Sequence, residues 1–430
     1  MGKPMIGFAG LTHLGLNSAV ASAARGFQTV GFHKDDNIVE NLFKNKPHIT
    51  EPGLAKMMKT HIENLTFSAV PKILSECDLI YIAVDVPTDD NGVSDLNPIH
   101  DMIEKVLYVM DESASLIILC QVPPGFTRCI KLSPERIFYQ VETLIYGRAI
   151  ERAMYPERFI IGCSDPLNPI DPRLKTFLSA FKCSIMPMSY ESAELAKISI
   201  NMCLVAAVST ANTLAEICEH IGADWSEIVP ALRLDKRIGL YAYLKPGLGI
   251  AGGNLERDLS TVLSYAQKYQ TNSDVVAAWA SNSTHRKAWA WETLNDLVLK
   301  YQKQAKIAVL GLAYKENTHS IKNSPSIALL NRIQDHSIRA YDPAAKTKAA
   351  GINIIRTKNA MSATEQADVL LVMTPWPEFS SISANELMKS MNGRIVIDPY
   401  RVLDGKDLVE TGFTYATLGE PVRQPLKISD

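Results

Sequence analysis

Short apolar runs alternate with helical patterns over the first part of the chain. The first run is followed by a glycine-containing turn and by a stretch of small residues, Leu16–Arg25, that predicts a helix. The apolar runs predict strands at Pro4–Gly10, Gln28–Phe32, Leu79–Val84, Ser115–Gln121 and Phe159–Gly162. Because parallel strands need a crossover connection, this alternation predicts a parallel, doubly wound sheet.

The middle of the chain has a different pattern. Tyr190–Ile221 is long, apolar and helical in its periodicity, and a second helical stretch runs from about Asp274 to Gln302. Between them, Arg237–Gly253 is rich in glycine, tyrosine and proline. Because a loop of that composition between rigid helices is more often functional than structural, we expect it to contribute to a site.

The last part of the chain returns to the α/β pattern. Strands are predicted at Lys306–Leu310, Ser337–Tyr341, Val369–Met373 and Arg394–Asp398, and Pro325 is typical of the first turn of a helix. The predicted fold class is therefore α/β, with two Rossmann-like doubly wound domains joined by a long central helical domain. We place these domains at residues 1–188, 189–303 and 304–430.

Composition limits the class of protein. The chain has 430 residues, of which 47% are apolar and 21% charged, with a formal charge of -2. These values are typical of a globular enzyme of about three domains and exclude extensive disorder. A charge near zero provides no footprint for nucleic acid or for an anionic membrane.

Cysteine usage and the N-terminal segment bear on the compartment. The seven cysteines are scattered and none forms a CxxC pair, so neither a zinc site nor a redox motif is expected. Reduced thiols of this kind fit a cytoplasmic protein. The N-terminal segment lacks the long apolar region of a signal peptide, and no run of roughly 18 uncharged apolar residues predicts a membrane span. We therefore expect no metal, no membrane and no nucleic acid as a partner.

The first βα turn carries a candidate cofactor motif. Residues 6–15, IGFAGLTHLG, lie where a Rossmann fold has its G-x-G-x-x-G fingerprint. Gly10 suits the tight turn, and Gly15 suits close packing of helix on strand. Thr12 replaces the middle glycine, so its hydroxyl narrows the approach of a pyrophosphate although it can bond phosphate. The segment predicts NAD binding, with an α/β turn that holds no cofactor as the alternative.

The end of the second strand bears on the choice of cofactor. An NAD enzyme usually has an acidic residue there, which holds the ribose hydroxyls. By position that residue is His33, which Lys34 and Asp35 follow. His33 and Lys34 can accommodate a 2′-phosphate, which leaves NADP open beside NAD. A solvated turn is the alternative interpretation.

Several motifs in the rest of the chain point to one family. They are AELAKISIN at 193–201, LDKRIG at 234–239, PGLGIAGG at 246–253, GLAYK and NT within 306–325, and AD at 367–368 with TPWPEF at 374–379 before Asp398 and Arg401. In these motifs the chain resembles the UDP-glucose/GDP-mannose dehydrogenase family, in the same order and over essentially its whole length.

The resemblance implies a nucleotide-sugar dehydrogenase of polysaccharide biosynthesis. Its substrate would be a UDP sugar such as UDP-glucose or UDP-N-acetylmannosamine. Members of the family oxidise the C6 hydroxymethyl group to a carboxylate in two hydride transfers to NAD. Their NAD domain, helical dimerisation core and nucleotide-sugar domain fit the predicted segmentation, so the resemblance also implies a homodimer or a multiple of dimers.

The resemblance implies roles for individual residues as well. Hydride loss from C6 needs a proton acceptor, together with a donor or a positive charge at the reacting oxygen. Lys197 and Asn201, four residues apart and so on one helix face, match the family's pair at that oxygen, and Asp258 matches its carboxylate. Glu157, in the segment YPER, matches the glutamate that activates water against the thioester. The matched substrate-holding positions are Arg237, Tyr243, Gly252, Lys315 and Arg401.

The chain departs from the family at the nucleophile. The family's cysteine in GGxCxxKD corresponds to Asn254 in AGGNLERD, residues 251–258. Because a carboxamide cannot form a thiohemiacetal with an aldehyde, the second oxidation loses its covalent route. Cys120 and Cys163 are expected to be small buried apolar residues rather than substitutes. At two cofactor positions, Gln121 replaces the family's threonine and Lys322 its arginine.

These departures favour oxidation of a UDP sugar that stops at a two-electron product. Two variants of this function stay open. One is transient oxidation with re-reduction, as in an epimerase, and the other is slow completion to the acid with Glu157 as base. The alternative from another class is a nucleotide-sugar binding protein without turnover, since Thr12, His33 and Asn254 together can indicate loss of the cofactor and nucleophile sites. The retained groups for the reacting oxygen argue against it, because binding alone does not need them.

Overall fold

The protein is described by a computed structural model that covers residues 2–89, 92, 94–168, 170–345 and 354–425. The chain divides into two compact units, residues 1–200 and 201–430. Each unit contains one sheet with helices around it, and the predicted α/β class is confirmed. The three domain boundaries stay a prediction.

An eight-stranded sheet forms the centre of the first unit. Its strands are β1 (Ile6–Ala9), β2 (Thr29–Phe32), β3 (Leu65–Ser68), β4 (Leu79–Ile82), β5 (Ser115–Ile118), β6 (Ile137–Gln140), β7 (Arg158–Cys163) and β8 (Ser184–Ser189). They lie in the order β3-β2-β1-β4-β5-β6-β7-β8. Ile6 pairs with both Thr29 and Leu79, so β1 lies between β2 and β4. The first βα turn therefore leaves the sheet at its topological switch point, where doubly wound folds bind ligands.

The sheet of the first unit is not wholly parallel. The strands from β3 to β6 run parallel, but β7 pairs antiparallel to β6, with Tyr139 opposite Gly162. The expectation of a parallel sheet is therefore wrong at this edge. An apolar run shows that a strand is buried but carries no signal for its direction, which the connection between β6 and β7 decides.

Helices cover both faces of this sheet. They are α1 (His13–Ala24), α2 (Asp36–Phe43), α3 (Leu54–Thr60), α4 (Asn97–Val109), α5 (Ala149–Met154) and α6 (Pro172–Ser179). Helix α1 buries small residues such as Ala19 and Ala23 completely. Small side chains let this helix lie close to the sheet, which fits the helix predicted at Leu16–Arg25. Strands β3, β6 and β8 were not predicted. Strand β8 has no fully buried position and contains Pro187, as edge strands do.

The second unit combines long helices with a parallel sheet. Helix α7 (Tyr190–Ile221) begins in the first unit, with the bounds that the sequence predicts. The other helices are α8 (Trp225–Leu234), α9 (Asn254–Tyr269), α10 (Asp274–Leu294, extended by a π-helical turn at Asn295–Leu299), α11 (Pro325–Arg332), α12 (Ala360–Thr364), α13 (Ala384–Ser390) and α14 (Gly405–Glu410). The loop predicted at Arg237–Gly253 is present. It lies between α8 and α9, two helices that the sequence analysis did not predict.

Six parallel strands form the second sheet. They are β9 (Lys306–Leu310), β10 (Ser337–Tyr341), β11 (Ile355–Arg356), β12 (Val369–Val372), β13 (Ile395–Ile397) and β14 (Thr414–Ala416), in the order β11-β10-β9-β12-β13-β14. The predicted strands of this region are confirmed, and the helix that Pro325 opens is α11. One apolar core lies around this sheet, with Leu310, Leu371 and Phe379 fully buried.

Helix α7 is the one helix of the described residues that by length and composition alone is able to cross a bilayer. Its most apolar window has a mean hydropathy of 1.5 and is 39% buried. Core helices of soluble proteins meet the same criterion, and one such helix is weak evidence for a membrane span.

A buried carboxyl group in the second unit makes stability depend on pH. Asp398 follows β13 and accepts hydrogen bonds from the Leu403 amide (2.8 Å), the Tyr400 amide (3.3 Å) and the Tyr415 hydroxyl (3.3 Å). Burial raises the pKa of Asp398 to about 6, against the opposing effect of these bonds. A folded-state pKa above the unfolded value stabilises the fold below the unfolded pKa, and this stabilisation is lost as the pH rises through the folded pKa.

Asp398→Asn is therefore expected to remove part of the pH dependence of folding. Between pH 4 and pH 7 the wild type should lose roughly 2 kcal/mol of unfolding free energy relative to the variant. Urea denaturation at both pH values measures the difference. Asp335→Asn, which neutralises an exposed carboxyl of the same unit, is the control. Parallel pH profiles for the wild type and Asp398→Asn would contradict the expectation.

Candidate active site

The first βα turn has the backbone geometry of a dinucleotide site. Gly10 has φ +104°, and a Cβ there would lie 2.7 Å from the Ala83 carbonyl oxygen. A Cβ on Gly15 would lie 1.9 Å from the Gly10 carbonyl oxygen. Both positions therefore require glycine, one for the turn and one for the contact of α1 with it. This backbone fits a pyrophosphate at the N-terminus of α1.

The Thr12 side chain at this turn already has hydrogen-bond partners inside the protein. The Thr12 hydroxyl donates to the Ala83 carbonyl at 3.0 Å and also bonds the carboxyl group of Asp85. Burial raises the pKa of Asp85, against the effect of the Thr12 bond. The phosphate contact predicted for this hydroxyl thus competes with bonds inside the protein.

The ribose end of the turn holds a pair of histidines. The His33 Nδ1 atom accepts a hydrogen bond from the Asp35 amide at 3.1 Å. The ring of His48 lies 5.8 Å from that of His33 between centroids. Lys34 follows His33 at an exposed position. His48 was missed by sequence reasoning, because nothing in the segment between α2 and α3 indicates which strand end it meets.

A further contact fixes the start of α1. The Glu51 carboxylate, whose side chain is fully buried, accepts hydrogen bonds from the amides of Gly147 (3.1 Å) and Ala149 (2.8 Å). It also contacts His13 Nε2 at 2.8 Å, and the His13 ring stacks on Tyr146 at 3.9 Å. The loop after β6 is therefore held against the dinucleotide turn.

The two thiols considered as substitutes for the nucleophile, Cys120 and Cys163, behave as core residues. The Cys120 thiol is buried and donates to the Ile82 carbonyl at 3.2 Å, and burial raises its pKa to about 12. The buried Cys163 thiol donates to the Met188 carbonyl at 3.4 Å, and burial raises its pKa too. Since the thiolate is the nucleophile, both groups are poor substitutes for a catalytic cysteine. Gln121 follows Cys120 at a half-buried position.

Lys197 has a carboxylate partner that the sequence did not indicate. Its Nζ atom lies 3.4 Å from Glu142 Oε2, and both side chains are mostly buried. Glu157 lies at the surface, 63% exposed, between Arg158 (2.9 Å) and Arg152 (3.4 Å). The water-activating role implied for Glu157 stays a prediction. The signal for Glu142 was its position directly after the apolar run at β6, at the carboxyl end of a strand.

The second unit brings together Asn201 and Asp258. The Asn201 Nδ2 atom donates to Asp258 Oδ2 at 2.5 Å, and Asp258 is 1% exposed. Arg257 Nε lies 3.7 Å from the other carboxylate oxygen. Helix α9 places Asp258 one turn after Asn254, which is exposed at the first helical position.

The loop before α9 is shaped by glycine. Gly252 and Gly253 have φ of +91° and +98°. A Cβ on Gly252 would lie 2.6 Å from the Tyr314 ring, so only glycine fits. The Gly252 amide donates to the Lys322 carbonyl at 3.3 Å. Lys322, which was predicted to contact the cofactor, is thus placed in the second unit beside the loop that carries Asn254.

The predicted substrate residues fall into two groups. Arg237 is exposed and pairs with Asp235 at 2.5 Å, and Tyr243 is 47% exposed. The Lys315 ammonium lies 5.7 Å from the Tyr314 ring centre. These three side chains are placed at the surface of the second unit or beside Gly252.

Arg401 is held differently. Its guanidinium bonds both carboxylate oxygens of Asp224, at 2.7 and 3.2 Å, and the Ser226 hydroxyl at 2.8 Å. Asp224 is the N-cap of α8, so Arg401 ties the segment after β13 to that helix. Its φ of +54° is unusual for arginine, and these bonds hold the backbone there. The predicted diphosphate contact from Arg401 competes with this bidentate pair.

Known proteins with this fold are NAD-dependent oxidoreductases that act on CH–OH groups of nucleotide sugars, and this chain is of the same class. The chain belongs to the UDP-glucose/GDP-mannose dehydrogenase family. It matches the family's NAD binding domain at residues 5–173, its central domain at 191–284 and its UDP binding domain at 308–405.

Individual relatives cover nearly the whole chain. UDP-glucose 6-dehydrogenase TuaD of Bacillus subtilis is 26% identical over 98% of this chain and 94% of its own length. UDP-glucose 6-dehydrogenase of Rickettsia conorii is 26% identical over 97% of this chain and all of its own length, 100%.

Solved structures share the fold. A UDP-glucose dehydrogenase from Pyrobaculum islandicum superposes with a TM-score of 0.82 at 23% identity, over 94% of this chain and 98% of its own. A UDP-D-ManNAc dehydrogenase from Pyrococcus horikoshii has the same TM-score of 0.82 and 23% identity, over 96% and 99%. The predicted Rossmann architecture is confirmed.

Proposed function

We propose that this protein oxidises the C6 alcohol of a UDP sugar, of the UDP-glucose or UDP-N-acetylmannosamine type, and that oxidation stops after two electrons. The observation that carries the proposal is the start of α9. Asn254 is exposed there at the first helical position, after a loop in which glycine is required. A carboxamide at this position can bind a carbonyl oxygen, but it cannot add to the carbonyl carbon as a thiolate does.

Lys197 is proposed to stabilise the reacting oxygen. When the alcohol loses hydride and proton, negative charge develops on that oxygen, and a mostly buried ammonium group is well suited to hold it. The Glu142 carboxylate, 3.4 Å from the Lys197 Nζ atom, fixes the position of this ammonium group. We therefore propose Glu142 as the carboxylate that positions Lys197, while Glu157 stays the proposed group for activating water.

Asn201 and Asp258 are proposed to handle the proton. The Asp258 carboxylate is buried and accepts a hydrogen bond from the Asn201 amide. That bond orients the carboxylate, and a positioned carboxylate is what proton transfer from the alcohol requires. Asp258 then takes the hydroxyl proton, directly or through water.

The NAD domain supplies the second substrate. When bound, NAD supplies the hydride acceptor. The turn at Gly10 and the N-terminus of α1 would hold its pyrophosphate, with Gly15, Thr12 and His33 around it. Gln121 and Lys322 stay proposed cofactor contacts.

The substrate contacts, the assembly and the compartment of the protein are proposed as well. We propose that the UDP sugar contacts Arg237, Tyr243, Gly252, Lys315 and Arg401, the last of which also pairs with Asp224. We propose a homodimer or a multiple of dimers, supported by the apolar residues that α7 exposes, such as Ile217 and Ile221. A cytoplasmic location is supported by the free cysteines.

The experiment counts reduced nicotinamide per sugar. Purified protein is incubated with NAD and either UDP-glucose or UDP-N-acetylmannosamine, and the product is weighed by mass spectrometry. We expect about one equivalent of NADH and a product lighter by two hydrogens. Two equivalents and a uronic acid would show that the thiol is dispensable. An altered sugar without net NADH would favour an epimerase, and an unchanged sugar would favour a binding protein.

A further inference from the structure

The ribose end of the dinucleotide site lacks the acidic residue that NAD-binding folds place there. His33 occupies the position directly after β2, and the His48 ring lies 5.8 Å from it. His48 also donates a hydrogen bond to the Leu11 carbonyl in the βα turn. Both imidazoles are therefore held at the strand end by contacts with the backbone of the fold.

The charged groups near this histidine pair are a lysine and two carboxyl groups, and both carboxyl groups have hydrogen-bond partners. Lys34 and Asp35 lie beside His33, while Asp35 and Asp85 lie near His48. Asp35 is the N-cap of α2, where its carboxylate accepts the Asn37 amide at 2.9 Å. The carboxyl group of Asp85 bonds the Thr12 hydroxyl. The two carboxyl groups nearest the pair thus have partners inside the fold.

We propose that His33 and His48 form a subsite for the 2′-phosphate of NADP, so that the chain accepts NADP as well as NAD and takes up protons when the phosphate binds. The proposal rests on the proposed dehydrogenase function and names a second cofactor for it. Lys34, exposed beside His33, adds a fixed positive charge to the subsite.

Proton uptake follows from the chemistry of the pair. Burial lowers the pKa of His33 and of His48, so both rings are neutral at neutral pH while no anion is near. A neutral imidazole can donate to a ribose hydroxyl, which is enough for NAD. A phosphate dianion stabilises the imidazolium form, so its binding raises the pKa of His48 and draws a proton from solvent. The His33 ring, whose Nδ1 atom accepts the Asp35 amide, donates to the phosphate through Nε2 in its neutral form.

The test is calorimetric titration of NAD and of NADP at pH 6 and pH 8, in two buffers with different enthalpies of ionisation. The Kd for NADP should fall about tenfold from pH 8 to pH 6, and about one proton should be taken up per NADP. The Kd for NAD should change by less than about threefold, since its ribose carries no 2′-phosphate.

Variants of His33 and His48 test whether these two rings cause the NADP binding and the proton uptake. His33→Asp restores the acidic residue and should weaken NADP about tenfold or more while NAD still binds. His48→Asn should reduce both the proton uptake and the pH dependence. His61→Asn, a histidine at the end of α3 away from this pair, is the matched control and should change neither, and circular dichroism checks the fold of each variant.

The outcomes distinguish this inference from the function on which it rests. The subsite is refuted if NAD binds and NADP binds at least tenfold more weakly at pH 6. It is also refuted if NADP binds without proton uptake. Neither result contradicts the proposed dehydrogenase function. Failure of both dinucleotides to bind at either pH overturns the dehydrogenase proposal as well.

Discussion

Lys197→Met is expected to lower kcat for UDP-sugar oxidation by roughly 10²–10³, with KM changed little. The methionine keeps the length of the side chain but removes the ammonium group that is proposed to hold the reacting oxygen. Negative charge develops on that oxygen in the transition state, so the loss falls on kcat rather than on binding. Initial rates of NADH formation over a range of UDP-sugar concentrations measure both constants.

Two comparisons make this prediction specific. Lys175→Met, on the exposed face of α6, removes a lysine from the same unit and should leave kcat unchanged. Glu142→Gln should also lower kcat, because it removes the charge 3.4 Å from Lys197, whereas Glu157→Gln changes a surface group that faces two arginines. A Lys197→Met enzyme within about threefold of the wild type would refute the proposed role.

Asn254→Cys is expected to change the product from a carbonyl compound to a carboxylate. A thiol at the first position of α9 lies at a helix N-terminus, which favours the thiolate. The thiolate can add to the aldehyde, and the resulting thiohemiacetal can pass a second hydride to a second NAD, which leaves a thioester. Water then hydrolyses the thioester to the carboxylate and frees the thiol. NADH per sugar should therefore rise from about one to about two, and mass spectrometry should show the acid.

The control for this change is Asn254→Ala, which removes the carboxamide without adding a nucleophile. It should keep the stoichiometry at about one NADH per sugar. Should Asn254→Cys also stop at one equivalent, the position would not be that of the family's nucleophile, although the two-electron proposal for the wild type would stand on its own assay.

Part of the candidate site was readable from local pattern. Gly10 and Gly15 were assigned to a tight turn and to close packing, and the structure shows a positive φ at one and a 1.9 Å Cβ clash at the other. Such roles depend on the backbone of neighbouring residues, which short motifs encode. Cys120 and Cys163 were expected to be buried, and both are.

Other parts of the site depend on distant partners. Lys197 meets Glu142 across 55 positions of sequence, and Arg401 meets Asp224 across 177. The spacing that singled out Lys197 contains no information on which carboxylate faces it. For this reason the pairing of Lys197 with Glu142 was not predicted.

By itself the sequence determined most strands of the two sheets, the bounds of the long helix Tyr190–Ile221, the family and the presence of Asn254 where a thiol was expected. Periodicity and turn residues are local, so they report which stretches form elements and which faces are buried. Only the tertiary structure decided that β7 runs antiparallel to β6, that His48 meets His33 and that Glu142 meets Lys197. These features depend on how separate elements pack, and many pairings are compatible with the same local pattern.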